Sequence, residues 1–345
     1  MISAAKLVKQ VSAYPWAQWS LLRWQTRPGN LLILAYHRVL PASSQELSWE
    51  QPGVVVFPDL FAAHLSILKR HFQLVQLSEL QFDQPRFGLG KDNYCCITFD
   101  DGWRDNYDYA FPVLKNHGVP ATIFLSTGFI GAEKLFWPGR LSKLLQRLSS
   151  TPDLLQTSDD ATTSDSVEWL RRTLPTENLP GFATPEWLSR AIEIAKRDPD
   201  ATIENHLERL ESKWPDVGRP ERAVLTWEEV VEMQDSGLVR FGCHTMTHRR
   251  LGRVEDPRTL QSQLDHSKAT IEHHIGQPVT VFAYPNGDHC PQSEAHVSRV
   301  YQAAVSTEPG TNDLRQPSRY RLRRINMHSA VGRSRSRFIS RLGGW

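Results

Sequence analysis

An α/β fold is predicted for this 345-residue chain on three observations. Short apolar, β-prone runs recur at Ile33–Tyr36, Tyr94–Phe99 and Leu238–Cys243. Segments with helically spaced leucines lie between them, and acids or histidines stand directly after the runs. Strands alternating with helices build layered folds whose sites collect at the carboxyl ends of the strands.

Taken in order, residues 1–29 carry Lys6 and Lys9 but are then broken by Gln10, Ser12, Pro15, Gln18 and Ser20, a poor signal peptide. We read them as an N-terminal helical segment whose Trp16, Trp19, Leu22 and Trp24 pack on the domain or seek a surface. With no run near the roughly 18 to 20 apolar residues that span a bilayer, cytoplasmic residence is the expectation. The first strand ends at His37, placed to line a site, and Phe61, Leu65, Leu68 and Phe72 mark the following helix. The second strand, Tyr94–Phe99, ends in Asp100, Asp101 and Gly102. Such a triplet is an ordinary turn, yet two neighbouring carboxylates at a buried strand end repel unless one meets a cation or a proton.

Residues 131–225 are far too long for a strand-to-helix connection. Leu141, Leu144, Leu145 and Leu148 recur at helical spacing, as do Val167, Leu170 and Leu174. Thr184 caps a helix opened by Pro185 and Glu186, and Ser149–Ser166 is a polar loop. The reading is a helical insertion at the rim of the site, governing access or simply packing. Thr226 and Glu229 then form a capping box.

The strand Leu238–Cys243 leads into His244 and His248, an i, i+4 pair that shares one face of a helix or tight turn. Two imidazoles and one carboxylate make a three-ligand metal site with open positions, the catalytic arrangement. Of the four cysteines, Cys95 and Cys96 point to opposite faces of a strand and Cys243 and Cys290 stand alone, so neither a zinc nor a disulfide framework is expected. Near the end, Leu322, Arg324, Asn326 and His328 alternate as on one face of a strand.

The chain carries a net charge of +2 and 40% hydrophobic residues, within the range of a globular domain. From Arg315 onward there are nine arginines and no acid. We read residues 331–345 as a basic tail, solvated or facing an anionic glycan or membrane surface. No nucleic-acid motif accompanies it, and no nucleic-acid partner is expected.

Thr98–Gly102 and His244–His248 resemble the first two signature motifs of the polysaccharide deacetylases, the NodB-like carbohydrate esterase family 4. Phe282–Gly287 resembles the third motif and Ile325–His328 the last, in the family's order, and the strand Ile33–Val39 is similar to the opening of the exopolysaccharide branch. The resemblance implies a distorted (β/α) barrel over residues 30–330. It implies that Asp101, His244 and His248 hold a divalent metal, zinc first, that Asp100 is the general base and that His328 protonates the leaving amine. Asn286, between Pro285 and Gly287, would stabilise the oxyanion through its backbone amide, with Tyr284 and His37 near the substrate. The family's third motif carries an arginine that orients the base, where this chain has Ala283. Arg324 is our candidate substitute. The implied reaction is metal-dependent removal of N-acetyl groups from sugars of a polysaccharide or glycan precursor, an acetylated glycan being the substrate. The alternatives are O-deacetylation or deformylation of a glycolipid headgroup, or a disabled glycan-binding protein.

Overall fold

The computed structural model describes residues 29–80, 82, 93–151, 161–175, 183–214, 222–252, 256–315 and 318–342. The N-terminal helical segment, the middle of the Ser149–Ser166 stretch and the last three residues of the basic tail lie outside these. The chain divides into two compact units, one of residues up to Pro41, Gly53–Gly131 and Val224 onward, the other of Ala42–Pro52 and Ala132–Ala223.

The first unit is a curled, half-barrel sheet. Its strands are β1 (Asn30–Tyr36), β4 (Gln73–Leu74), β5 (Tyr94–Phe99), β6 (Ala121–Leu125), β7 (Val239–Cys243), β8 (Val281–Ala283), β9 (Ala303–Val305), β10 (Asn312–Asp313) and β11 (Ile325–Asn326). A separate parallel pair is formed by β2 (Arg38–Val39) and β3 (Val55–Val56). The main order is β10-β1-β5-β6-β7-β8-β9, with β11 also pairing β1 and β4 pairing β5. All pairings are parallel except β1 with β10. Parallel strands covered on both faces read as unbroken apolar runs, and β1 and β5 are of that kind.

Alternation sorts their side chains between two cores. Leu31, Ile33 and Cys96 join Phe124, Val281 and Val305 in one cluster. On the opposite face Tyr36 and Phe99 close an aromatic triangle with Phe61 of the helix Pro58–His71, with centroids 5.1 to 5.6 Å apart. The same helix supplies His64, which accepts from the Tyr36 hydroxyl at Nδ1 (3.1 Å) and donates from Nε2 to the Gly332 carbonyl (3.1 Å). Its ring stacks on Phe338 at 3.9 Å. A Cβ at position 332 would lie 2.4 Å from His64 Nε2, so the contact requires glycine there. Burial pushes the His64 pKa down to about 4 despite the carbonyl contact, so the ring is held neutral.

The second unit is helical: Trp137–Ser150, Ala161–Thr173, Pro185–Ala195 and Asp200–Lys213. Leu141, Leu144, Leu148, Leu170, Trp187, Ile192 and Leu207 form its core, against which Trp49 packs. Thr184 Oγ accepts the Trp187 amide, capping the third helix as its sequence specifies. Arg140 is buried and bonded to Glu211 through Nε (2.8 Å) and Nη2 (2.7 Å), with Glu204 on Nη1.

Candidate active site

β5 carries its ladder one residue past Phe99, because the Asp100 amide donates to Tyr36 O of β1 at 3.0 Å. The chain then turns through left-handed Asp101 (φ 77°) and Gly102 (φ 78°). Asp100 and Asp101 are thereby sent to different partners. Asp100, 3% exposed, receives both terminal nitrogens of Arg324 at 2.7 Å. Arg324 is itself 1% exposed, and its remaining donors reach Ser306 O (2.8 Å) and Thr98 Oγ1 (3.2 Å). Burial acts to raise the Asp100 pKa, and the charge and hydrogen bonds of Arg324 outweigh it, keeping the carboxyl ionised. His37 Nε2 stands 3.8 Å from Asp100 Oδ2.

Asp101 turns the other way. Its Oδ1 lies 3.5 Å from His244 Nε2 and 3.3 Å from His248 Nε2. The three ligand atoms lie within 4.8 Å of one another. Oδ1 is buried without a hydrogen-bond partner, which a native protein rarely tolerates unless something else satisfies it. The donor set, two imidazoles and a carboxylate around an orphaned oxygen, fits a divalent cation. His244 is fixed for this role from behind, since Nδ1 donates to the Ala283 carbonyl at 2.7 Å and leaves Nε2 facing Asp101. Position 283 therefore acts through its backbone.

The turn that carries the histidines is also held by a residue that the motif does not announce. Gln263, 5% exposed, accepts from the amides of Met246 (3.1 Å) and Thr247 (3.0 Å) and from the Thr247 hydroxyl (3.2 Å). It stands in a π-helical turn, Ser262–His266, a local irregularity frequent at functional sites. Thr245 and His248 both have positive φ.

Of the third motif, Tyr284 is buried with its hydroxyl unpartnered, and Pro285–Gly287 form a tight turn in which Asn286 has φ 58°. A Cβ on Gly287 would meet Thr307 Oγ1 at 2.0 Å. His328 is half-buried with an unpartnered Nδ1; burial, then Arg341 and His37, lower its pKa. All four non-glycine residues with positive φ among the described residues, Asp101, Thr245, His248 and Asn286, lie in these motifs. Backbone strain of this kind persists where the surroundings impose it, and it clusters at working sites.

The sequence profile described as "Polysaccharide deacetylase" matches residues 89–162 and 194–303. Over 106 residues the chain is 32% identical to YxkH of Bacillus subtilis (strain 168), covering 30% of this chain and 35% of that protein. Over 129 residues it is 29% identical to the poly-beta-1,6-N-acetyl-D-glucosamine N-deacetylase of Staphylococcus aureus (strain MSSA476), covering 34% and 43%. These matches thus span less than half the length of the curated relatives. Among solved structures, the chain superposes on the Streptococcus pyogenes deacetylase PplD in complex with acetate (TM-score 0.54, 19% identity, 88% of this chain and 95% of that one). It superposes equally on IcaB from Ammonifex degensii (TM-score 0.54, 18% identity, 91% and 98%).

Proposed function

The chain belongs to the polysaccharide deacetylase family, and from that premise we propose that it hydrolyses N-acetyl groups from sugar residues of a polysaccharide or glycan precursor. The observation that carries the proposal is the division of labour between neighbouring carboxylates: Asp100 is clamped by Arg324, while Asp101 faces two histidines.

In this reading Asp101, His244 and His248 hold a divalent cation, zinc being the ion that this donor set suits best. When bound, the cation supplies Lewis acidity and positive charge at the reacting acetyl carbonyl. Asp100, kept ionised and aimed by Arg324, takes the proton of the attacking water. Arg324 thus positions the base, the task left open by Ala283. Negative charge that develops on the carbonyl oxygen is met in this reading by the backbone N–H of Asn286, in its left-handed turn beside Tyr284. His328 delivers a proton to the departing nitrogen, without which an amine leaves poorly. Its lowered pKa makes the imidazolium a strong donor while reducing the fraction protonated at neutral pH.

The partner is an acetylated glycan. The helix Arg335–Leu342 buries Phe338, Ile339 and Leu342, and Arg335 at its start and Arg333 just before it are exposed. No carboxylate among the described residues pairs with the guanidinium of Arg333, Arg335 or Arg337, which supports an anionic glycan or membrane surface as a second contact. Among the described residues no helix is long and apolar enough to cross a membrane.

The test is acetate release from N-acetylglucosamine oligomers and from acetyl esters, with bound metal measured in parallel, for the wild type, Asp100→Asn and His244→Ala. Release from the oligomers that collapses in both variants is expected, with metal lost only in the second. Metal uptake without release from either substrate class would favour a glycan-binding role instead.

A further inference from the structure

Two buried charges have no part in the reaction as proposed. Arg38 and Asp105 are 2% and 4% exposed. Arg38 Nε and Nη2 both stand 2.8 Å from Asp105 Oδ2, and Asp105 Oδ1 accepts the Val39 amide at 2.6 Å. Taking such a pair out of water is costly, and well-packed apolar residues often serve stability as well. Its placement suggests another use. The Arg38 guanidinium lies over the Trp103 ring, 4.3 Å from its centroid, and Trp103 is 7% exposed. From that clamped ring the indole N–H donates to Asp101 Oδ2 at 2.8 Å. The neighbouring Asn106 Nδ2 donates to His37 O at 2.8 Å, so the same turn also sets the residue that faces Asp100.

Rotation of an aspartate about its last side-chain bond is broad, so which of its oxygens faces a neighbour is set by tertiary contacts. At Asp101 that contact occupies one oxygen and leaves the other facing His244 and His248. We infer that Trp103, steadied by the buried Arg38–Asp105 pair, is a positioning residue that commits Asp101 Oδ2 to the protein so that Oδ1 is held ready for the metal. The inference rests on the metal-site reading above. The indole N–H restricts rotation of the carboxylate and lowers the reorganisation needed on ion uptake, as outer partners of metal ligands do.

Trp103→Phe removes the N–H and keeps an aromatic ring beneath Arg38. A cleaner variant places the tryptophan analogue with sulfur for N–H at position 103 alone, which preserves shape and folding. The readouts are zinc affinity of the full chain, by competition with a chromogenic chelator, and the rise in melting temperature that zinc produces. Both variants are expected to bind zinc about 10- to 100-fold more weakly, with a smaller zinc-induced rise and, for the sulfur analogue, an unchanged melting temperature of the metal-free protein. A merely structural tryptophan would shift the metal-free melting temperature and leave zinc affinity alone. Zinc affinity of the sulfur analogue within threefold of wild type overturns the inference. A wild type that takes up no zinc overturns the metal-site reading and this inference with it, so the two failures are distinct.

Discussion

The strand-end turns of the first unit and the helical second unit follow opposite rules. In the helical unit local propensity and burial agree except at buried Arg140, whose charge is met by Glu211: leucines at helical spacing form the core, and Thr184 caps where a cap is needed. In the turns they disagree. Non-glycine residues sit at positive φ, two arginine–aspartate pairs are buried, and one carboxylate oxygen is left without a hydrogen bond. A chain tolerates such conflicts only where they are overdetermined by neighbours, and proteins concentrate them where chemistry is done. Stability and function are therefore expected to separate by region.

The sharpest break of that contrast would come from Asp100→Asn. We expect acetate release to fall about 10³-fold, within the range for a lost general base, with zinc content unchanged by metal analysis; release at wild-type rate removes Asp100 from the reaction. Arg324→Ala follows. Turnover should fall about 100-fold with metal retained, and because it strands a buried Asp100 it should also cost roughly 3–5 kcal/mol in denaturant unfolding. Unchanged turnover would sink the positioning role. In the helical unit, Leu144→Ala should cost about 3 kcal/mol of that unit's stability while zinc affinity of the folded protein stays put. A zinc affinity that moved with it would erase the contrast between the regions.

His64 sharpens the comparison by pH. Its folded pKa is depressed from 6.5 to about 4, so the unfolded chain binds the proton more readily. The contribution to stability is whole above pH 6.5 and is lost as pH falls toward 4, by about 3 kcal/mol. Denaturation midpoints between pH 7 and 4 should flatten in His64→Gln; an equal slope in both proteins would contradict this. The smallest effect concerns the basic tail. Arg333, Arg335 and Arg337 changed together to glutamine should abolish any salt-dependent retention on anionic liposomes or acidic glycans and leave hydrolysis of neutral oligomers intact.

How far the sequence shows these features depends on whether they are local. Asp101, His244 and His248 stand out by type and spacing, as does the capping box of Thr226 and Glu229, whose two reciprocal bonds the structure contains. Strand ends and helical repeats are likewise written in short windows. What holds the motifs is not. Asp105 reaches back 67 residues to Arg38, and Gln263 reaches 16 residues to the histidine turn. Nothing in the composition around Gln263 or Arg38 separates them from solvated polar residues. Arg324 is the exception, because strand alternation with Asn326 and His328 sets it on the face that meets Asp100 224 residues away. Segment 42–52, which belongs to the helical unit, offers no periodicity that would assign it there.

The pairing of β1 has a consequence for how the chain is made. β1 is completed by β10 and β11, and Asn312 Nδ2 reaches Leu31 O across 281 residues. During synthesis β1 must wait, partly unpaired, until residues 312–326 have left the ribosome, whereas the core of the helical unit lies almost entirely within one continuous stretch and can condense as soon as that emerges. The half-barrel is thus the late and aggregation-exposed step, and chaperone demand during biosynthesis is expected to fall on β1.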